Sequence, residues 1–204
     1  GLDEVWWMVS PQNPLKPADG MAPFAERMAG AEALARYPDI RVTDVEQRLG
    51  TRFTRDTLRA IKACFPKMHF VWVMGADNLA QISEWQRWNE IFGLVPIAVF
   101  DRAPYSFSAI AGKAARAFAR SKLRPQDAFD MARRTPPAWV YFHTRLHPGT
   151  ATAIRAGRGR AGRRAGHRAA RRHRHHRGCA LPGGRGAAWG GAWRRAPLCR
   201  QHER

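Results

Sequence analysis

The sequence of 204 residues is poor in acidic residues and in cysteine, and it has no long apolar run. Only 16 Asp and Glu accompany 35 Lys and Arg, which gives a formal net charge of +19. The three cysteines form no C-x-x-C pair, so neither a zinc site nor a redox motif is indicated, and Cys64 is expected to be a small core residue. No apolar stretch approaches the roughly 18 residues of a membrane span, and no signal peptide is seen. A cytoplasmic protein is therefore expected.

The positive charge is concentrated at the carboxyl end. Residues 157–204 hold 14 Arg and no Lys against one acid, Glu203, so this tail carries about +13 and the body only about +6. The tail has no sustained period of 2 or 3.6, so it is expected to be disordered. Its Arg, Gly and His composition also fits a gene read in the wrong frame, an RNA-binding arm or a His-rich metal tract. We therefore place a domain boundary at residue 156.

Apolar runs alternate with helical periodicity in residues 1–156. Short apolar runs closed by turn residues predict strands at 5–9, 40–43, 69–74, 95–100 and 139–142. Apolar residues at helical spacing predict helices at 23–36, 54–65, 85–92 and 108–119. Because the strands are apolar on both faces, we predict an α/β fold with a parallel sheet covered by helices on both sides. The loops after the strands would then gather at the edge where such sheets bind ligands.

Five segments, each at the end of a strand or the start of a helix, carry a resemblance. They are SPQNPLKP at 10–17, GTRFTRDTL at 50–58, MGADNL at 74–79 with Trp85 downstream, FDR at 100–102, and TATAIR at 150–155. In this order the sequence resembles the bacterial nicotinate-nucleotide adenylyltransferase family over residues 1 to about 155. The resemblance implies a Rossmann-like nucleotidyltransferase domain at 1–156. It also implies adenylyl transfer from ATP to nicotinate mononucleotide, which gives nicotinate adenine dinucleotide and pyrophosphate in NAD biosynthesis, with Mg²⁺ accompanying ATP.

Two groups of residues are expected to bind ATP. Gly75 follows a strand and would let the adenosine approach the backbone, while Asp77 would accept hydrogen bonds from ribose hydroxyls. The alternative is an ordinary turn with Asp77 as a helix cap. The second group resembles the family's S-S-T-x-I-R signature, whose hydroxyls and arginine grip the phosphates, with Ala151 in place of one serine. Its members are Thr150, Thr152, Ile154 and Arg155.

A further set is expected to bind nicotinate mononucleotide. Trp85 would stack on the nicotinate ring, whereas Trp88 is the better candidate for a core tryptophan. Phe53 and Thr54 lie at a predicted helix start, whose backbone N–H groups can hold a carboxylate. Lys16 and Arg102 follow strands and would contact phosphate, and a solvated Lys16 is the alternative.

The family's first strand, Gly-rich loop and H-x-G-H motif do not occur in residues 1–204, so no catalytic residue is assigned. His143 and His147 lie far along the sequence and lack that spacing. The chain starts with Gly1 and enters a strand within four residues, which we interpret as truncation inside the domain. The absent strand is expected in the middle of the sheet, so its neighbours would keep unpaired backbone groups. We therefore predict a chain that is unstable, inactive or both.

Two alternative functions stay open. One is a related adenylyltransferase acting on nicotinamide mononucleotide or pantetheine phosphate, although Trp85 with Phe53 and Thr54 favours a pyridine ring. The other is a non-enzymatic RNA-binding protein that depends on the basic tail. The body shows no interleaving of aromatic and basic residues, which argues against RNA recognition by residues 1–156.

Overall fold

The computed structural model describes residues 2–11 and 21–144. All the strand pairs in this part are parallel, and helices connect the strands, which confirms the predicted α/β fold. The strands are β1 (Val5–Met8), β2 (Ile40–Thr43), β3 (Trp72–Gly75), β4 (Ile97–Phe100), β5 (Lys122–Leu123) and β6 (Trp139–Phe142). The helices are α1 (Phe24–Leu34), α2 (Val45–Arg48), α3 (Thr54–Cys64), α4 (Ala76–Gln81), α5 (Trp88–Leu94), α6 (Ser106–Ile110) and α7 (Lys113–Ala117). None of these helices has the length and apolar character that crossing a bilayer requires.

The strands form two separate parallel sheets. One has the order β1-β2 and the other the order β3-β4-β6-β5. Within residues 2–11 and 21–144, no strand pairs with the second side of β1 or of β3. A cleft of about 1520 Å³ is lined by both strands. Val5, Trp7 and Val73 line it with 43%, 40% and 46% of their surface exposed. The prediction that the first apolar run is a buried strand is therefore wrong. No residue of the described part of the chain covers the side chains of Val5 and Trp7 on β1.

The largest cluster of buried residues lies in the larger sheet and beneath its helices, and a second cluster packs α3 against β1. Ile97, Val99 and Val140 on the inner strands β4 and β6 are fully buried, as expected for a parallel sheet packed on both faces. Helix α3 buries the face that carries Leu58, Ile61 and Cys64, which confirms Cys64 as a core residue. These apolar contacts fix the strand ends that carry the polar loops.

Three predicted elements differ from the structure. The run 69–74 forms a strand only from Trp72, because pairing begins where the Trp72 N–H donates to the Pro96 carbonyl at 2.8 Å. Phe70, just before the strand, packs edge-on against Trp6 instead. The run 108–119 is two helices, α6 and α7, separated at Gly112, where an added Cβ would lie 3.1 Å from the Ala109 carbonyl oxygen.

The helix predicted at 85–92 begins three residues later, at Trp88. Trp85 is extended (φ −78°, ψ 147°) after a 3₁₀ turn at Ile82–Glu84, and Arg87 is left-handed (φ 52°). The break separates the two tryptophans. Trp88 packs against the rings of Phe92 and Phe118 at 6.3 and 6.0 Å, whereas Trp85 lines the cleft.

Candidate functional site

The carboxyl edge of the larger sheet brings three loops together. The strand register places Gly75 opposite Phe100 and Phe100 opposite Phe142. The residues that follow these three therefore emerge side by side, about 4.8 Å apart from strand to strand. This row carries two of the predicted site segments, the one with Asp77 and the one with Arg102.

Gly75 has room for no side chain because Asp77 folds back over it. An added Cβ would lie 2.4 Å from the Asp77 Oδ1 atom and 3.5 Å from the Arg102 Cδ atom. The backbone of Gly75 (φ −81°, ψ 161°) is one that any residue adopts, so the requirement for glycine is purely steric. The Arg102 Nη1 atom donates to the Asp77 Oδ2 atom at 3.0 Å.

The other carboxylate oxygen of Asp77 has no partner in the described part of the chain. Asp77 Oδ1 is buried and accepts no hydrogen bond. A buried acceptor without a donor costs free energy that a bound hydroxyl or N–H group recovers. Helix α4 begins at Ala76 without a side-chain cap, so Asp77 does not serve as the capping residue of the alternative interpretation.

Three of the residues expected to bind nicotinate mononucleotide lie along the cleft. Phe53, Thr54 and Trp85 all line it, together with Arg52. Thr54 is the first residue of α3, a helix of 11 residues, as the sequence predicts. The backbone N–H of Trp85 donates to the Ile82 carbonyl at 2.9 Å. The Trp85 side chain rests against the core. An aromatic face and a helix start thus border one cavity, as stacking on a ring and binding of its carboxylate require.

A buried carboxyl group supports the loop before α3. Glu46 is only 7% exposed, and the Thr57 hydroxyl donates to its Oε1 atom at 3.5 Å. Thr57 is also hydrogen-bonded to Thr51 at 2.8 Å. Burial raises the pKa of Glu46, and hydrogen bonds from Ser10 and Thr57 partly offset that rise. Glu46 therefore links the loop after β1 to the start of α3. Nothing in the local sequence singled it out.

A second cluster missed by the sequence lies at the carboxyl ends of β4 and β6. Asp101 Oδ1 accepts hydrogen bonds from the Ser106 hydroxyl and from the Tyr141 hydroxyl, the latter at 2.8 Å. Asp101 Oδ2 lies 3.5 Å from the Nδ1 atom of His143. The Ser106 hydrogen bond is the main cause that lowers the pKa of Asp101, while burial acts in the opposite direction. Burial, followed by the bond to Asp101, raises the pKa of Tyr141 to about 12.

The structure thus divides the predicted residues into two places. Gly75, Asp77 and Arg102 meet at the carboxyl edge, whereas Phe53, Thr54 and Trp85 border the cleft. Arg102, expected beside the mononucleotide phosphate, contacts Asp77 and is not part of the cleft lining. The remaining predicted residues lie outside the described part of the chain; they are Lys16, Thr150, Thr152, Ile154 and Arg155.

The described residues provide no set of side chains that would bind a metal ion. Residues 2–11 and 21–144 hold no group of three or more His, Cys, Asp or Glu side chains placed to bind one ion. Asp77 and Asp101 lie at the same edge, but each already faces a basic side chain. This donor set does not fit a protein-held Mg²⁺ ion.

Comparison with known proteins agrees with these features. The cytidylyltransferase-like family matches residues 1–154. Three bacterial proteins described as "Probable nicotinate-nucleotide adenylyltransferase" are similar to this chain. The protein of Methylorubrum extorquens (strain PA1) is 46% identical over 154 residues, which cover 76% of this chain and 83% of that protein. Those of Parvibaculum lavamentivorans and Cereibacter sphaeroides are each 48% identical over 155 residues, which cover 76% of this chain and 77% and 82% of those proteins.

Two solved structures of Plasmodium falciparum nicotinic acid mononucleotide adenylyltransferase, one complexed with APC and one with NaAD, are more distant. They are 13% and 14% identical, with TM-scores of 0.46 and 0.48. The alignments cover 74% of this chain and 63% and 64% of those chains, so this chain spans less than two thirds of their length. The family match over residues 1–154 and the identities of 46% and 48% show that this chain belongs to the nicotinate-nucleotide adenylyltransferase family, within the cytidylyltransferase-like proteins.

Proposed function

We propose that this chain binds ATP and nicotinate mononucleotide for adenylyl transfer. The observation that carries the proposal is the buried, unpartnered Oδ1 atom of Asp77 at the carboxyl edge of a parallel sheet. A ribose hydroxyl would donate to this atom, and Gly75 leaves the space that the carboxylate occupies. The family membership supports the assignment of the hydroxyl group to the ribose of a nucleotide.

The cleft suits the second substrate. The Trp85 ring offers a face for the nicotinate ring, and the N–H groups at the start of α3, at Thr54, would receive the ring carboxylate. Phe53 borders the same space. Adenylyl transfer then requires a phosphate oxygen of the mononucleotide to attack the α-phosphorus of ATP in line, with the bond to the β-phosphate breaking and pyrophosphate leaving.

Phosphate binding is assigned by resemblance to basic and hydroxyl residues. Lys16 and Arg102 would contact phosphate, and so would Thr150, Thr152 and Arg155, whereas Ile154 belongs to the same ATP-binding signature without a polar side chain. Mg²⁺ would arrive as the ATP complex and neutralise phosphate charge. The chain's own contribution is positioning, because two reactants held in line react far faster than the same reactants free in solution.

The test separates binding from turnover. Calorimetry of the full chain with ATP and with nicotinate mononucleotide should show one site for each. Nicotinamide mononucleotide and phosphopantetheine serve as competing acceptors, and both should bind more weakly. Turnover is followed as nicotinate adenine dinucleotide by chromatography, with a relative that carries the H-x-G-H motif as the reference. Absence of binding by ATP and by every acceptor in a folded chain would refute the proposal.

A further inference from the structure

A buried carboxylate holds an exposed imidazole at the carboxyl edge of the sheet. The Asp101 side chain is 8% exposed and the His143 side chain 69% exposed. The His143 Nδ1 atom faces Asp101 Oδ2 at 3.5 Å, and the ring lies 4.9 Å from that of Tyr141. With Nδ1 directed inward, Nε2 is on the opposite side of the ring, away from Asp101.

The Asp101 carboxylate is fixed by donors other than His143 as well. Asp101 already accepts from the hydroxyls of Ser106 and Tyr141, which come from α6 and β6, and from the Arg102 backbone N–H. These donors lower the pKa of Asp101, so the carboxylate remains charged at neutral pH. The Asp101 carboxylate is therefore held in place through Oδ1, and its Oδ2 atom faces the exposed imidazole and orients the ring.

The position of the ring points to an anionic ligand. His143 follows β6, Arg102 follows β4, and Asp77 follows β3, and these three strands are neighbours in the sheet. The span from β3 to β6 is about 10 Å, two strand spacings. A nucleotide whose ribose meets Asp77 would extend its phosphates across β4 towards β6. Two acids, Asp77 and Asp101, lie along this line of strands, and their carboxylates already face Arg102 and His143.

We propose that His143, oriented by Asp101, binds the β- or γ-phosphate of the nucleoside triphosphate through Nε2. The inference rests on the proposed function, because it takes Asp77 as the ribose contact. The ring would hold the part of ATP that leaves as pyrophosphate. Asp101 acts as a positioning residue, since it contacts the imidazole and not the ligand.

The experiment compares ligands that differ only in their terminal phosphates. Calorimetry at low salt measures the affinities for ATP and AMP of the unaltered chain, His143→Gln and Asp101→Asn. We expect His143→Gln to weaken ATP binding about tenfold, equivalent to about 1.4 kcal/mol, and to leave AMP binding unchanged. Asp101→Asn should weaken ATP binding less, again without an effect on AMP. His69→Gln is the matched control for ATP and AMP binding, because His69 is also exposed but precedes β3 at the opposite end of the sheet, where it borders the cleft and not the carboxyl edge.

A second measurement keeps this inference apart from the proposed function. Nitrogen-15 NMR of the histidine side chains, with inorganic pyrophosphate as the probe, should shift the His143 Nε2 signal and leave that of His69 unchanged. ATP binding that His143→Gln and His69→Gln affect equally would refute the inference while the proposed function stands. A specific pyrophosphate shift without ATP binding would refute the proposed function and retain a polyphosphate contact at His143. No shift and no difference in affinity would overturn the role of His143.

Discussion

The space above Gly75 is the most sensitive point of the candidate nucleotide site. In Gly75→Ala, the new methyl group would lie 2.4 Å from the Asp77 Oδ1 atom, well inside van der Waals contact. The backbone angles of Gly75 suit alanine, so the chain has no conformational reason to reject it. The least costly response is rotation of the Asp77 carboxylate away from Gly75, which also breaks its contact with Arg102.

The magnitude follows from what Asp77 loses. Its ion pair with Arg102 is part-exposed, with 24% and 50% of the two side chains accessible, so its loss costs at most about 1 kcal/mol of stability. A hydrogen bond from a ribose hydroxyl to the carboxylate contributes about 1.5–3 kcal/mol. We therefore expect ATP and AMP to bind about 10- to 100-fold more weakly to Gly75→Ala.

Urea unfolding followed by tryptophan fluorescence measures the stability, and calorimetry measures the two nucleotide affinities. Gly93→Ala is the matched control, because an added Cβ there meets nothing within 4 Å and the residue lies on the exposed side of α5. This control should raise the unfolding free energy by up to about 1 kcal/mol and leave nucleotide binding unchanged. Unaltered ATP affinity in Gly75→Ala would show that the steric reasoning, or the role of Asp77, is wrong.

Four further substitutions test the rest of the site. Trp85→Leu should weaken nicotinate mononucleotide binding about tenfold through lost stacking. Trp88→Leu should lower the unfolding free energy by about 2 kcal/mol and leave mononucleotide binding unchanged, so calorimetry distinguishes the two tryptophans. Burial raises the pKa of Glu46 in the folded state above its value in the unfolded chain. The folded protein therefore loses stability as the pH rises from the unfolded pKa of Glu46 through its folded pKa, because the buried carboxyl group must then ionise. Glu46→Gln should thus be more stable than the unaltered chain at pH 7, with the gap closing towards pH 4 in urea titrations, and a constant gap would contradict this account. Tyr141→Phe removes a hydrogen bond to a charged group, Asp101, and should cost about 1.5–3 kcal/mol. Because the pKa of Tyr141 is raised to about 12, the unaltered chain should lose stability between about pH 10 and 12. Tyr141→Phe should abolish this loss.

Local sequence patterns predicted the α/β class and most of the elements. The helix start at Thr54 and the strand 139–142 agree with the structure, because apolar periodicity and turn residues act over a few positions. The break at Trp85 was not predictable in this way. Trp85, Trp88 and Phe92 keep helical spacing, and only the separate packing of the two tryptophans requires the chain to leave the helix between them.

The candidate site shows the same division. Motif resemblance identified Gly75, Asp77, Phe53, Thr54 and Trp85 as residues that meet a ligand. It did not reveal that Gly75 is required by the Asp77 carboxylate, because that contact depends on side-chain rotamers and on Arg102 25 residues away. His143 was set aside for its distance along the sequence.

The sequence by itself therefore determined the family, the parallel arrangement of the strands, and a charge distribution that leaves the body only moderately basic. Only the tertiary structure decided which described strands keep an unpaired side, β1 and β3, and that residues of both line one cleft. It also decided that Asp101 and His143 meet, although they lie 42 positions apart. The physical reason is the register between β4 and β6, which depends on how the whole core packs and which no local pattern encodes.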